Sequence, residues 1–143
     1  MIKTASLELE EARKITDAVV EAARTTRPPD RPMSVAVVDN AGVLISLDRM
    51  DGASPNSVRM AINKAYTAIM WRRDTIDIQN LIKDGRDIAW FGDPDRNAPV
   101  PGGVLIKSGD DSIVGAVGTS GRSAMAPMGD EELARIGAGA VHI

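Results

Sequence analysis

Between Glu8 and Thr25 apolar residues return every three or four positions, at Leu9, Ala12, Ile15, Val19 and Ala23, with Glu10, Glu11, Arg13, Lys14 and Glu21 between them. That period predicts an amphipathic helix with one face on a core. Acidic first turns and Arg24 near the end suit the helix macrodipole, and the proline-rich Thr26–Pro32 segment cannot continue the helix. The pattern then changes to two β-branched runs, Ser34–Val38 and Val43–Leu47, around Asp39-Asn40-Ala41-Gly42. A turn composition between two such runs predicts an antiparallel hairpin.

Ser54-Pro55 supplies an N-cap and a first-turn proline for a second long helix, whose stripe of Val58, Ala61, Ile62, Ala65 and Ile69 runs to about Arg72. Met60, Lys64 and Trp71 fall together on another flank, so this helix is expected to be covered on two faces, by the domain or by another subunit. A short helix from Thr75 to Lys83 stops at Gly85, and Asp87–Pro101 has loop composition pinned by Trp90 and Phe91. Val104–Lys107 and Ile113–Thr119 flank a Ser108–Asp111 turn, and Asp130 is the expected N-cap of a last helix through Ile136, its end weakened by Gly137 and Gly139. This order describes an α+β domain with helices covering an antiparallel sheet of four strands, with Lys3–Leu7 as a weaker fifth.

The 143 residues make one domain, 1–143, with no internal linker. A net charge of −3 offers no basic stripe for nucleic acid or an anionic membrane surface. With no bilayer-length apolar run and no signal-peptide pattern at the start, the cytoplasm is the expected compartment. The chain has no cysteine and one histidine, His142, close to its end. Thiolate chemistry is therefore excluded, and a Ser-His-Asp or multi-histidine metal mechanism would have to run through a terminus.

Two segments interleave glycine with apolar β-formers: Pro101-Gly102-Gly103-Val104-Leu105-Ile106, and Val114-Gly115-Ala116-Val117-Gly118-Thr119-Ser120-Gly121. Glycines in and beside strands mark tight turns, close strand packing, or close approach of a ligand to the main chain. They are not nucleotide-phosphate loops, because no strand–glycine–helix order and no Gly-Lys-Ser/Thr ending accompanies them. Ser120 and Arg122 still offer an anion nest. Arg49 and Lys64 form a candidate anion clamp, the arginine giving a planar fork and the lysine a cation whose pKa falls if it is buried. The alternative pairs Arg49 with Asp48 or Asp51 at the surface while Lys64 snorkels.

These motifs together resemble the GlcG/HbpS/PduO C-terminal-domain family, often labelled haem-degrading or haem-binding. The resemblance rests on Met33-Ser34-Val35-Ala36-Val37-Val38-Asp39 with Asn40-Ala41-Gly42, on Arg49-Met50-Asp51-Gly52-Ala53, on Lys64-Ala65-Tyr66-Thr67-Ala68, on Pro101-Gly102-Gly103 and on Val114–Gly121, in order over nearly the whole chain. It implies a profilin-like α-β-α domain with a five-stranded antiparallel sheet, homo-oligomers including octamers, and members that bind haem or sit beside small-molecule catabolic enzymes. It places Asp39, Arg49, Lys64, Pro101, Gly102, Gly103 and Thr119 around a pocket. Haem binders of the PduO kind use a histidine on the N-terminal helix as iron ligand, and Glu8–Thr25 contains none; Tyr66, Lys64 or a methionine would have to serve. Three functions stay open. One is a binding protein for a small anionic organic ligand or haem, with Arg49 and Lys64 neutralising the anion. Another is an isomerase or lyase on a small carboxylate, with Lys64 or Asp39 as acid/base and the Gly102 and Gly103 amides stabilising an oxyanion. The last is a chiefly structural subunit with Met60 and Trp71 on its interface.

Overall fold

The computed structural model describes residues 1–26, 31–87 and 92–143; Trp90 and Phe91, expected to pin the long loop, lie outside them. The elements are α1 (Leu9–Arg24), β1 (Ser34–Asp39), β2 (Leu44–Arg49), α2 (Pro55–Trp71), α3 (Thr75–Lys83), β3 (Gly103–Lys107), β4 (Ile113–Ser120) and α4 (Asp130–Ala138). All strand pairs are antiparallel, and the sheet order is β2-β1-β4-β3. Among the described residues no helix is long and apolar enough to cross a membrane.

Local chemistry sets the helix ends. Glu8 and Glu11 form a capping box at α1. The Ser54 hydroxyl accepts the Ser57 N–H at 3.2 Å ahead of Pro55, and Arg72, at φ 52°, ends α2 in the left-handed region. Strand alternation then builds three layers. Val35 and Val37 of β1, Val104 and Ile106 of β3 and Val117 of β4 join Ile15 and Val19 of α1 and Leu133 of α4 in the larger core. Val38, Leu105 and Ala116 face the other way, onto Ala65, Ala68 and Ile69 of α2. Gly137, expected only to weaken α4, lets it lie close on α1: a Cβ there would stand 2.7 Å from Val19 Cγ2.

The sheet has four strands among the described residues, not the five expected. Lys3–Leu7 makes a single backbone bond to the sheet, from Leu7 N–H to Val114 O at 3.0 Å, while Asn40 ties Ala5 and Ser6 down from the hairpin turn. β4 is flanked by β1 and β3, so only its first residues, beyond the Asp39–Gly115 pair, leave room for that bond. Asp130 also differs from expectation: Gly129 is the N-cap, and Asp130 opens the helix with its side chain turned inward.

Candidate functional site

Lys64 lies on the inward side of α2 and is 3% exposed, so its ammonium cannot snorkel to water. Its Nζ donates to Thr119 O at 2.9 Å and to Asp130 Oδ2 at 3.2 Å. Asp130 Oδ1 accepts the Arg122 N–H at 3.0 Å, and the Thr119 hydroxyl donates to Asp130 O. One buried carboxylate thus fastens α2, the end of β4 and the start of α4. Burial pushes the Lys64 pKa below the ordinary lysine value, against the opposing pull of the Asp130 and Glu131 carboxylates.

Gly102 and Gly103 stand beside this pair because nothing larger fits. A Cβ on Gly102, at φ +121°, would meet Thr119 O at 2.7 Å and Lys64 Nζ at 3.0 Å; one on Gly103 would meet Lys64 O at 2.5 Å. On Gly118 it would stand 2.0 Å from Ala61 O. The approach that these glycines permit is that of helix α2. Their N–H groups are taken internally, Gly102 donating to Glu131 Oε1 at 3.1 Å and Gly103 to Thr75 Oγ1 at 2.9 Å. Pro101 is buried next to them.

The structure therefore brings Lys64, Pro101, Gly102, Gly103 and Thr119 together and leaves Asp39 and Arg49 outside. Asp39 holds the hairpin turn, its Oδ1 accepting the Ala41 and Val43 N–H groups at 2.9 and 3.0 Å. It pairs with Gly115, four residues along β4 from Thr119, or about 13 Å. Arg49 is exposed on edge strand β2, with β1 between it and β4, about 10 Å across the sheet. Among the described residues it makes neither a hydrogen bond nor an ion pair, so the expected surface pairing with Asp48 or Asp51 is not formed. Arg122 is no open anion nest: 5% exposed, it donates to Arg31 O, Thr26 Oγ1, Met128 O and Ala23 O at 2.8–3.1 Å. Tyr66 lies under the Arg96 guanidinium, 3.4 Å from the ring centroid, and His142 is exposed in the tail.

Around Arg49 the space is open. A cleft of about 580 Å³ lies between α1 and the end of β2, lined by Asp17, Val20, Glu21, Arg24, Asp48, Arg49, Met50 and Asp51. Asp17 and Asp48 continue into a polar groove with Arg13, Thr16 and Ser46. No group of three or more residues among those described is placed to hold a metal ion. Sequence reasoning found Arg49 but missed its neighbours on α1; Asp17, Glu21 and Arg24 recur at helical spacing on one side of that helix, which is the signal they carry.

The model of the HbpS-like haem-degrading proteins matches residues 7–138. Protein GlcG of Escherichia coli K12 is 35% identical over 88 residues, 62% of this chain and 63% of GlcG, so the match spans less than two thirds of that relative's length. The crystal structure of a Streptomyces reticuli HbpS double mutant superposes with a TM-score of 0.79 at 33% identity, over 96% of this chain and 88% of that one. A crystal structure of a PduOC–haem complex gives a TM-score of 0.81 over 96% of each chain, and at 23% identity it speaks for the fold alone. Matched in sequence from before α1 to the end of α4 and in fold over nearly its whole length, the chain belongs to the HbpS-like family.

Proposed function

We propose that this chain is a small-molecule-binding protein whose ligand, a small hydroxy or keto acid, lies in the α1/β2 cleft with its carboxylate on Arg49. The observation that carries this reading is the exposed, unpaired Arg49 guanidinium on the wall of a cleft of about 580 Å³. Arg24 adds a second positive charge, and Val20 and Met50 an apolar surface. Asp17, Glu21, Asp48 and Asp51 are acceptors that suit hydroxyl groups and disfavour a ligand with several negative charges.

Haem, which the PduOC relative holds in its crystal structure, fits these residues poorly. The cleft offers no imidazole, thiolate or phenol, and its one thioether, Met50, packs in part against the larger core. The isomerase or lyase alternative takes Lys64 or Asp39 as acid/base, whereas Lys64 is sealed in and ion-paired and Asp39 Oδ1 is engaged by the Ala41 and Val43 N–H groups of the hairpin turn. A homo-oligomer is part of the reading: Val43, Leu44 and Met70 are 61%, 42% and 47% exposed at one end of edge strand β2 and α2, which suits burial against another copy. Calorimetric titration with lactate, pyruvate and hemin tests the ligand. Lactate or pyruvate binding lost in Arg49→Ala supports it; binding untouched by that change overturns it.

A further inference from the structure

Beyond Ser120 the chain folds over the first turn of α4 and leaves a second groove, of about 600 Å³, on the opposite side of α4 from the α1 contact. Its walls are apolar: Ala124, Met125, Ala126 and Pro127 from the loop and Ile136 from α4, with Met125 65% and Ile136 36% exposed. Glu131, Glu132 and Arg135 complete the lining.

Glu131 has an unusual setting for a carboxylate beside apolar walls. Its side chain is 8% exposed. Oε1 accepts the Gly102 N–H at 3.1 Å, but Oε2 is buried and receives no hydrogen bond. Arg135 Nη2 lies 3.0 Å from Oε2 as an ion pair outside hydrogen-bond geometry, and the same nitrogen pairs with Asp74 Oδ2 at 3.3 Å. Oε2 thus has a cation beside it but no well-aligned donor, and a ligand that supplies an N–H in line improves on the Arg135 pair. Charge selects the donor: Asp74, Glu131 and Glu132 stand against the single Arg135, while behind them Lys64 and Asp130 neutralise each other. Arg135, half exposed, keeps Asp74 as a partner when Glu131 is engaged by another cation. Burial pushes the Glu131 carboxyl above its ordinary range, against the downward pull of the Arg135 cation and the Gly102 N–H.

We infer that this groove binds a small primary amine with an apolar body, its ammonium donating to Glu131 Oε2 and its hydrocarbon lying on Met125, Pro127 and Ile136. The ligand is opposite in charge to the one assigned to the α1/β2 cleft, so either site stands or falls without the other. A metal ion is disfavoured by the apolar walls, and a carboxylate by Glu131 and Glu132.

Titration of the whole chain with hexylamine, hexanoate and hexanol, followed by amide chemical shifts, tests it. Hexylamine is expected to move the amides of Ala124, Met125, Ala126, Glu131 and Arg135 and to bind at least about tenfold more tightly than hexanoate or hexanol. Glu131→Gln removes the charge but keeps an oxygen for Gly102, and is expected to weaken hexylamine by about tenfold or more. Ile136→Lys places a cation on a part-exposed helix position and weakens hexylamine without touching Glu131, so the test survives if Glu131→Gln fails to fold. Equal binding of hexylamine and hexanoate, shifts that avoid residues 124–135, or Ile136→Lys binding like the parent each overturn the proposal.

Discussion

Replacing Lys64 by methionine keeps most of the side-chain volume and deletes one ammonium from a place where water cannot replace it. Lys64 and Asp130 are 4% and 5% exposed in their side chains, with Nζ and Oδ2 3.2 Å apart. Without Nζ the Asp130 carboxylate keeps only the Arg122 N–H, and Thr119 O loses its side-chain donor. Breaking a buried pair by removing one partner costs about 3–5 kcal/mol, because the other charge stays buried and uncompensated. Against a total of about 5–15 kcal/mol for a domain, that is at least about a fifth of the stability. At about 2–4 °C per kcal/mol for a domain of this size, Lys64→Met is expected to melt about 10–15 °C below the parent. Asp130→Asn in the Lys64→Met background removes the stranded charge and keeps an oxygen for the Arg122 N–H. That double variant should recover half the loss or more, with a coupling energy of about 1–3 kcal/mol. Thermal and urea unfolding of the parent, both single variants and the double variant supply the cycle. A Lys64→Met protein within about 1 kcal/mol of the parent would refute the role of Lys64 as the fastener between α2, β4 and α4.

The glycine contacts and the acid beside them give two further expectations. Gly118→Ala sets a Cβ 2.0 Å from Ala61 O and 2.8 Å from Ala65 N; since backbone cannot swing aside, α2 must lift, and the loss in urea unfolding should be at least about 1–3 kcal/mol. Glu131 has its folded-state pKa raised by burial, with the Arg135 ion pair opposing, so the stability it contributes is present below about pH 4.5, its unfolded value, and is lost as pH rises through the higher folded value. Urea midpoints should therefore fall for the parent relative to Glu131→Gln as pH increases from about 4.5 to 7, and parallel curves would contradict the buried acid.

Helices and hairpins were legible in this chain because each repeats a simple period: 3.6 for Leu9 to Ala23 and for Val58 to Ile69, and two β-branched runs around Asp39–Gly42. What escaped depends on neighbours distant in sequence. Lys3–Leu7 looks as much like a strand as its composition allows, but whether β4 has a free side for it is decided by β1 and β3. The glycines at 102, 103 and 118 correctly announce that something comes close to the backbone, and a glycine cannot say whether that is a ligand or a helix. Lys64 stands out as a cation among apolar positions, yet its partner Asp130 is 66 residues away and reads locally as a helix cap. Asp39 and Arg49 are close in sequence as ends of one hairpin, but they mark its turn and its open end, about 17 Å apart along the strands. The α1/β2 cleft is a tertiary feature, and only Arg49 announced it.

The most direct measurement is an amide-shift titration of the chain with lactate and, in parallel, pyruvate, repeated in Arg49→Ala and in the Lys64→Met, Asp130→Asn double variant. Binding in the α1/β2 cleft requires shifts at Asp17–Arg24 and Asp48–Asp51 that vanish in Arg49→Ala and persist in the double variant. Shifts centred on Gly102, Gly103 and Thr119 that survive Arg49→Ala and disappear in the double variant would move the site to the buried cluster and contradict the assignment.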